Sequence, residues 1–264
     1  MTSSTATSPD GTSIAWTTQG SGDPVVLVHG ITESSSTWGP IVEHLIDDHQ
    51  VVTLDLRGHG ESGSAGDYGL ESMAGDVMTV IGAAGLVRPH IVGHSLGGVV
   101  VSAVGAVAPV RSVVDVDQPL RLGGFKDQLV AAESMLRNAD AFPAAMTALF
   151  EEMSGTMLSA SERTRISDLR RLDQDVVLGV WDLILTAPLG DLEAAVEQAL
   201  AGYGNHDVSH LSIFGIDPGD GYESWLRGFM GGAEVELWAD HGHYPHLVDP
   251  DRFVARLAEF WAAS

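Results

Sequence analysis

Apolar residues in this chain fall into two alternating patterns. Short unbroken runs such as Val25-Val26-Leu27-Val28 and Val51–Leu54 consist of leucine and β-branched residues, as in strands buried on both faces. Between such runs, residues 37–47 and 70–84 show helical patterning, and 96–107 reads as a helix of small residues. His90–Val92, Ser112–Val116, Leu211–Phe214 and Glu234–Trp238 are further predicted strands, and 249–262 is a closing amphipathic helix. Pro9-Asp10-Gly11 is a turn signal, so 2–8 and 12–18 form an opening hairpin.

Strands alternating with helices at this spacing predict an α/β fold, a doubly wound and mainly parallel sheet of about eight strands. From about 120 to 207 the rhythm changes to helix alone, with Met135, Met146, Met153, Met157 and Trp181 among its apolar positions. The simplest organisation is a core of residues 1–119 and 208–264 carrying a helical cap, 120–207, inserted after the sixth strand. No segment repeats at a fixed period, which excludes a solenoid or propeller.

Charge narrows the partners. With 36 acidic against 13 basic residues the net charge is −23, a field that repels phosphate backbones and anionic lipid, so neither nucleic acid nor membrane is an expected partner. Lys126 is the sole lysine. The chain has no cysteine, which removes disulfides, thiolate nucleophiles and cysteine-ligated metals. Residues Met1–Asp10 lack a basic start and an apolar stretch, and Val99–Val110 is too short to span a bilayer. A cytoplasmic location is the expectation.

The chemistry concentrates in three places. Gly93-His94-Ser95-Leu96-Gly97 is a G-x-S-x-G element between a predicted strand and a predicted helix. In that context the serine sits on a strained turn that exposes its hydroxyl, and glycines are needed where a Cβ would strike backbone. Ser95 is therefore the expected nucleophile. Upstream, Val28-His29-Gly30-Ile31 ends the first parallel strand, where the Ile31 amide can join that of Leu96 in an oxyanion hole. Near the end, Asp240-His241-Gly242-His243-Tyr244-Pro245-His246 follows the last predicted strand. His243, between Gly242 and an aromatic, is the expected general base, with His241 and His246 positioning the loop or lying on the surface. A three-histidine metal site lacks an acidic ligand or helical spacing, so no metal or other cofactor is expected.

Together with VVLVHG, GHSLGG and GHYPHLVDP, the segment Asp55-Leu56-Arg57-Gly58-His59-Gly60-Glu61-Ser62 makes the chain resemble the α/β-hydrolase superfamily nearly end to end, apart from the cap. The resemblance implies that the Asp55–Ser62 loop is structural and that His59 is not catalytic. A carboxylate must still orient His243, and the order Ser, acid, His puts it between residues 95 and 243. The resemblance places it after the seventh strand, where Asp217 stands, although one residue closer to Gly215 than usual. Asp220 follows between two glycines. Some relatives carry the acid after the sixth strand, which here is Asp117. Asp217 is preferred as the commoner position and Asp117 stays open.

The expected function is hydrolysis of a small-molecule carboxylic ester or lactone through an acyl-enzyme. A serine at the elbow argues against dehalogenase and epoxide-hydrolase chemistry, which needs a carboxylate there. The alternatives are carbon–carbon bond hydrolysis or perhydrolysis by the same triad, and a receptor-like ligand binder with slow hydrolysis. Acyl-chain length, stereochemistry and oligomeric state are not legible.

Overall fold

A computed structural model describes residues 1–264. Its strands are β1 (Thr2–Thr7), β2 (Ser13–Gln19), β3 (Asp23–Val28), β4 (His49–Leu54), β5 (His90–His94), β6 (Ser112–Val116), β7 (Ser209–Phe214) and β8 (Glu234–Leu237). The core helices are α1 (Gly39–Leu45), α2 (Leu70–Ala83) and α3 (Leu96–Val107), and between β6 and β7 come α4 (Gly123–Leu136), α5 (Phe142–Met153), α6 (Ala160–Leu169), α7 (Gln174–Thr186) and α8 (Leu189–Leu200). Three more close the chain: α9 (Tyr222–Arg227), α10 (Pro245–Val248) and α11 (Pro250–Ala262). None is long and apolar enough to cross a membrane.

The strands form one sheet in the order β1-β2-β4-β3-β5-β6-β7-β8. The β1–β2 and β2–β4 pairs are antiparallel and the rest are parallel. The unbroken apolar runs arise because both faces are covered. Val26, Val28, Ile91 and Val113 pack with Met73, Val77 and Val100 of α2 and α3 on one face. Their neighbours Val25, Leu27, Val92 and Val114 pack with Ile41, Leu45, Phe253 and Leu257 of α1 and α11 on the other.

Strand order reverses at β3, whose chain continues to β4 on one side while β5 pairs on the other. The loops leaving β3 and β5 therefore diverge and open a crevice at the carboxyl edge of the sheet. The parallel strands β6, β7 and β8 deliver their following loops to that same edge. The inserted helices α4–α8 have a core of their own, in which Leu129, Phe142, Met146, Phe150 and Trp181 pack together. Ile31, from the loop after β3, joins that cluster, so the insertion is anchored directly over the crevice.

The Asp55–Ser62 loop braces this edge. Arg57 grips Asp76 of α2 through two hydrogen bonds, Nε–Oδ2 at 2.6 Å and Nη2–Oδ1 at 2.7 Å, with both side chains buried. Ser8 of the loop after β1 donates to the same carboxylate. Asp55 accepts from the Ser35 and Glu61 amides at 2.7 and 2.9 Å, tying this loop to the one after β3. His59 is buried within the brace, its Nδ1 2.9 Å from the Arg57 carbonyl. Removing Asp76 strips the buried Arg57 of its buried partner and leaves it only the exposed Asp10 at 2.9 Å, so Asp76→Ala is expected to cost about 3 kcal/mol in urea denaturation. A loss below about 0.5 kcal/mol would show that the pair is not a brace.

Candidate active site

Ser95 lies between β5 and α3 with φ 52° and ψ −122°, a strained conformation for a residue with a side chain. The surrounding backbone holds it there. An added Cβ on Gly93 would meet the Gly97 carbonyl oxygen at 2.1 Å, and one on Gly97 would meet the Val28 carbonyl oxygen at 2.2 Å. Strands β3 and β5 and the first turn of α3 thus approach more closely than any side chain permits. The Ser95 amide donates to the Val116 carbonyl at 2.9 Å, and its own carbonyl accepts from Gly98 at 2.7 Å. The half-buried side chain is left on the crevice floor at the head of α3.

Two amides stand beside it. Leu96 opens α3 and Ile31 follows β3, and neither N–H has a hydrogen-bond partner within the protein. Both residues line a cavity of about 510 Å³ that also takes in Ser95, Asp117 and His243.

His243 lies in the loop after β8. Its Nδ1 is 2.7 Å from Asp117 Oδ2, in a contact between two buried side chains. With the carboxylate accepting, Nδ1 carries the proton and Nε2 keeps the lone pair. The His243 amide donates to the Met153 carbonyl at 2.9 Å, so the end of α5 fixes the loop. Burial pushes the His243 pKa below the ordinary histidine value, while the Asp117 hydrogen bond and charge oppose that shift.

The structure brings Asp117, not Asp217, to His243. Asp217 is exposed, and its Oδ1 accepts from the Gly219 amide at 2.8 Å, capping its own turn. The short loop after β7 contributes backbone instead: the Gly215 and Ile216 amides donate to Asp117 Oδ1 at 2.8 and 3.0 Å. The preference for Asp217 is corrected on this geometry, because the loop that carries it serves Asp117 as a donor. Asp220 is exposed as well. His241 and His246 are both buried, so neither is a surface residue. His241 Nδ1 lies 3.0 Å from the Ala239 carbonyl, and His246 stacks between Trp38 and His94 with ring centroids 4.8 and 4.7 Å away. No group of three or more histidine, aspartate or glutamate side chains converges as a metal site would.

The profile of the alpha/beta hydrolase family matches residues 25–256. The chain belongs to that family. Over 100 residues it is 35% identical to a pimeloyl-[acyl-carrier protein] methyl ester esterase of Aliivibrio salmonicida, covering 38% of this chain and 37% of that protein. Over 105 residues it is 37% identical to an N-formylmaleamate deformylase of Pseudomonas putida, covering 38% and 39%. The matched segments thus span well under half the length of these relatives. An esterase structure from Exiguobacterium antarcticum superposes with a TM-score of 0.79 at 18% identity, covering 99% of this chain and all of the other, a likeness of fold.

Beneath this alpha/beta hydrolase site lies a buried network that the sequence reading missed. Glu33 Oε1 accepts from the Tyr244 hydroxyl at 2.8 Å, and Oε2 accepts from the Gly30 amide at 3.3 Å and faces His94 Nδ1 at 3.5 Å. His94 Nε2 in turn donates to the His243 carbonyl at 2.7 Å, and Arg170 of the loop after α6 donates to the Tyr244 hydroxyl at 2.6 Å. Burial alone would raise the Glu33 pKa, but His94, Tyr244 and Arg170 together hold it well below the usual carboxylate range. One carboxylate thereby ties the Ile31 loop, the residue before Ser95 and the residue after His243. Its only sequence cue was negative: Thr32-Glu33-Ser34-Ser35-Ser36-Thr37 reads as an exposed polar loop. Glu33→Ala is expected to lose about 1–3 kcal/mol for each polar group left unpaired, read by urea denaturation. Glu33→Gln, which keeps an acceptor, is expected to lose less. Equal losses in the two variants would show that packing, not hydrogen bonding, is what Glu33 supplies.

Proposed function

We propose that this chain is a serine hydrolase that cleaves a carboxylic ester or lactone through an acyl-enzyme. The observation that carries the reading is the 2.7 Å contact between His243 Nδ1 and Asp117 Oδ2 on the cavity that holds Ser95. Ester cleavage in particular is supported by the likeness to the methyl ester esterase of Aliivibrio salmonicida.

In this mechanism Ser95 Oγ attacks the carbonyl carbon and its proton passes to His243 Nε2. Asp117 stabilises the imidazolium so formed. Negative charge gathers on the carbonyl oxygen, where the Ile31 and Leu96 amides and the amino end of α3 are available to meet it. The bond to the leaving oxygen then breaks, and His243 returns the proton to it. Water adds to the acyl-enzyme by the same route, with His243 again the base, and Ser95 departs protonated as the acid is released. No step requires a cofactor. The helices α4–α8 act as the cap of this site.

Ser95→Ala is expected to abolish turnover of p-nitrophenyl esters and labelling by a fluorophosphonate probe while circular dichroism stays unchanged. Labelling at the wild-type rate would overturn the assignment of the nucleophile.

The acid and the base have a joint signature in pH. A base with a lowered pKa is free at neutral pH, so activity is lost only as pH falls through a value on the acid side of the ordinary histidine pKa near 6.5. Asp117→Asn removes an influence that raises the His243 pKa, so the remaining limb moves further to acid while turnover drops on the order of 10⁴-fold. Asp217→Asn, on an exposed turn, is expected to change kcat less than about twofold. The opposite ranking in kcat would return the acid to the loop after β7.

A further inference from the structure

The 510 Å³ cavity is far larger than its reacting centre needs, and its walls have a direction. Along α3 the apolar lining residues are Leu96, Val99 and Ala103, spaced as one helical face and all only half-buried, with the buried Ser102 beside them. Facing them are Val180 of α7 and Val196 of α8, and no charged side chain intrudes along this limb. The cavity's acidic, basic and histidine side chains, Asp117, Arg121, Asp217 and His243, all come from the loops after β6, β7 and β8. Apolar faces that would ordinarily close on each other thus leave a trough running away from Ser95.

We propose that this trough is an acyl-chain limb and that the preferred substrate is a neutral ester of an unbranched medium-chain acid. The proposal rests on the serine-hydrolase reading and adds the substrate class to it. Direction comes from the proton. His243 must hand it to the leaving oxygen, so the alcohol lies on the His243 side and the acyl chain on the opposite side. A second cavity of about 470 Å³ opens on the His243 side, bordered by Gly242 and Glu152 and sharing Met153 and Ile216 with the first. It gives the alcohol an exit of its own.

Length follows from the helix. From Leu96 to Ala103 the rise along α3 is roughly 10 Å, at about 1.5 Å per residue. An extended chain advances roughly 1.2 Å per bond, so about eight or nine bonds fill the limb. Of the lining residues on α7 and α8, Leu183 and Ala199 are exposed, so this wall of the trough reaches solvent. Further carbons return to water and gain nothing.

The test holds the leaving group constant and varies the acyl chain, using p-nitrophenyl acetate, butyrate, hexanoate, octanoate, decanoate and palmitate. We expect kcat/KM to rise by up to about fourfold per methylene to the octanoate or decanoate and then to level off. Ala103→Trp, which fills the limb, is expected to lower the octanoate-to-acetate ratio of kcat/KM by ~10-fold or more. Val196→Phe narrows the same limb from α8 and should lower that ratio too, which keeps the test valid should Ala103→Trp not fold. Fluorophosphonate labelling of the wild type separates the two failures. Labelled protein whose kcat/KM is flat or falls from acetate to octanoate, or whose ratio survives both substitutions, overturns the acyl limb and leaves the hydrolase reading standing. Protein that is neither labelled nor active on any ester in the series overturns both.

Discussion

Everything at this site depends on how closely three pieces of backbone approach one another beneath Ser95. The carbonyl of Val28 on β3, the peptide of Gly93 on β5 and the first turn of α3 at Gly97 leave no space for a single added carbon. That contact forces Ser95 into a left-handed conformation, and hydrogen bonds to Val116 and Gly98 hold it there. The strain has a chemical use. It lifts the hydroxyl out of the strand's hydrogen-bonding plane and leaves the Leu96 amide, at the head of a helix, with no internal partner. Position and local field therefore arise from one constraint.

A strained turn is useful only if the other loops keep register with it, and that register is set by buried polar contacts. Glu33 reaches Gly30 in its own loop, His94 at the end of β5 and Tyr244 in the loop after β8, segments far apart in sequence. Asp55 ties the loop after β4 to the loop after β3. The insertion adds two restraints of its own: Ile31 packs into its core, and the Met153 carbonyl accepts from the His243 amide. The helices over the crevice thus help to set the Ile31 loop and the His243 loop as well as enclosing the cavity. Partial loss of these ties would leave charges or amides buried without partners, which makes the arrangement cooperative.

The fold was legible in the chain because its signals are local. Runs such as Val25–Val28 announce strands covered on both faces, and the helical spacing over 70–84 and 96–107 announces the layers that cover them. The G-x-S-x-G turn was legible because its pattern is local, although of its two glycines only Gly93 answers to a neighbour a few positions on, Gly97, while Gly97 answers to Val28 across the sheet. What escaped was settled across the fold. Glu33 looks like one polar residue in a hydroxyl-rich loop, and only the folded chain brings His94 and Tyr244 against it. Asp217 matched the commoner position, yet the Gly215 turn is too short to carry its side chain inward and presents amides there instead. The shortened spacing was the visible clue, and its meaning depended on where β6 ends relative to β7.

That relation also explains how two acidic residues so close together can share one strand end. Asp115 and Asp117 are both buried, and two like charges in a dry interior would repel strongly. The site separates them by the partners it supplies. Asp117 accepts from two amides on one oxygen and from the His243 imidazole on the other. Asp115 packs against Gly98, where neither of its oxygens finds a hydrogen-bond partner, and burial together with the Asp117 charge pushes its pKa well above the carboxylate range. Both influences favour its neutral form. Asp117 is thus the one of the two in hydrogen-bond contact with His243, and the proposed mechanism asks of that imidazole that it be neutral at rest and charged only during turnover. A second carboxylate at that place would raise the histidine pKa and work against the free lone pair that a base needs.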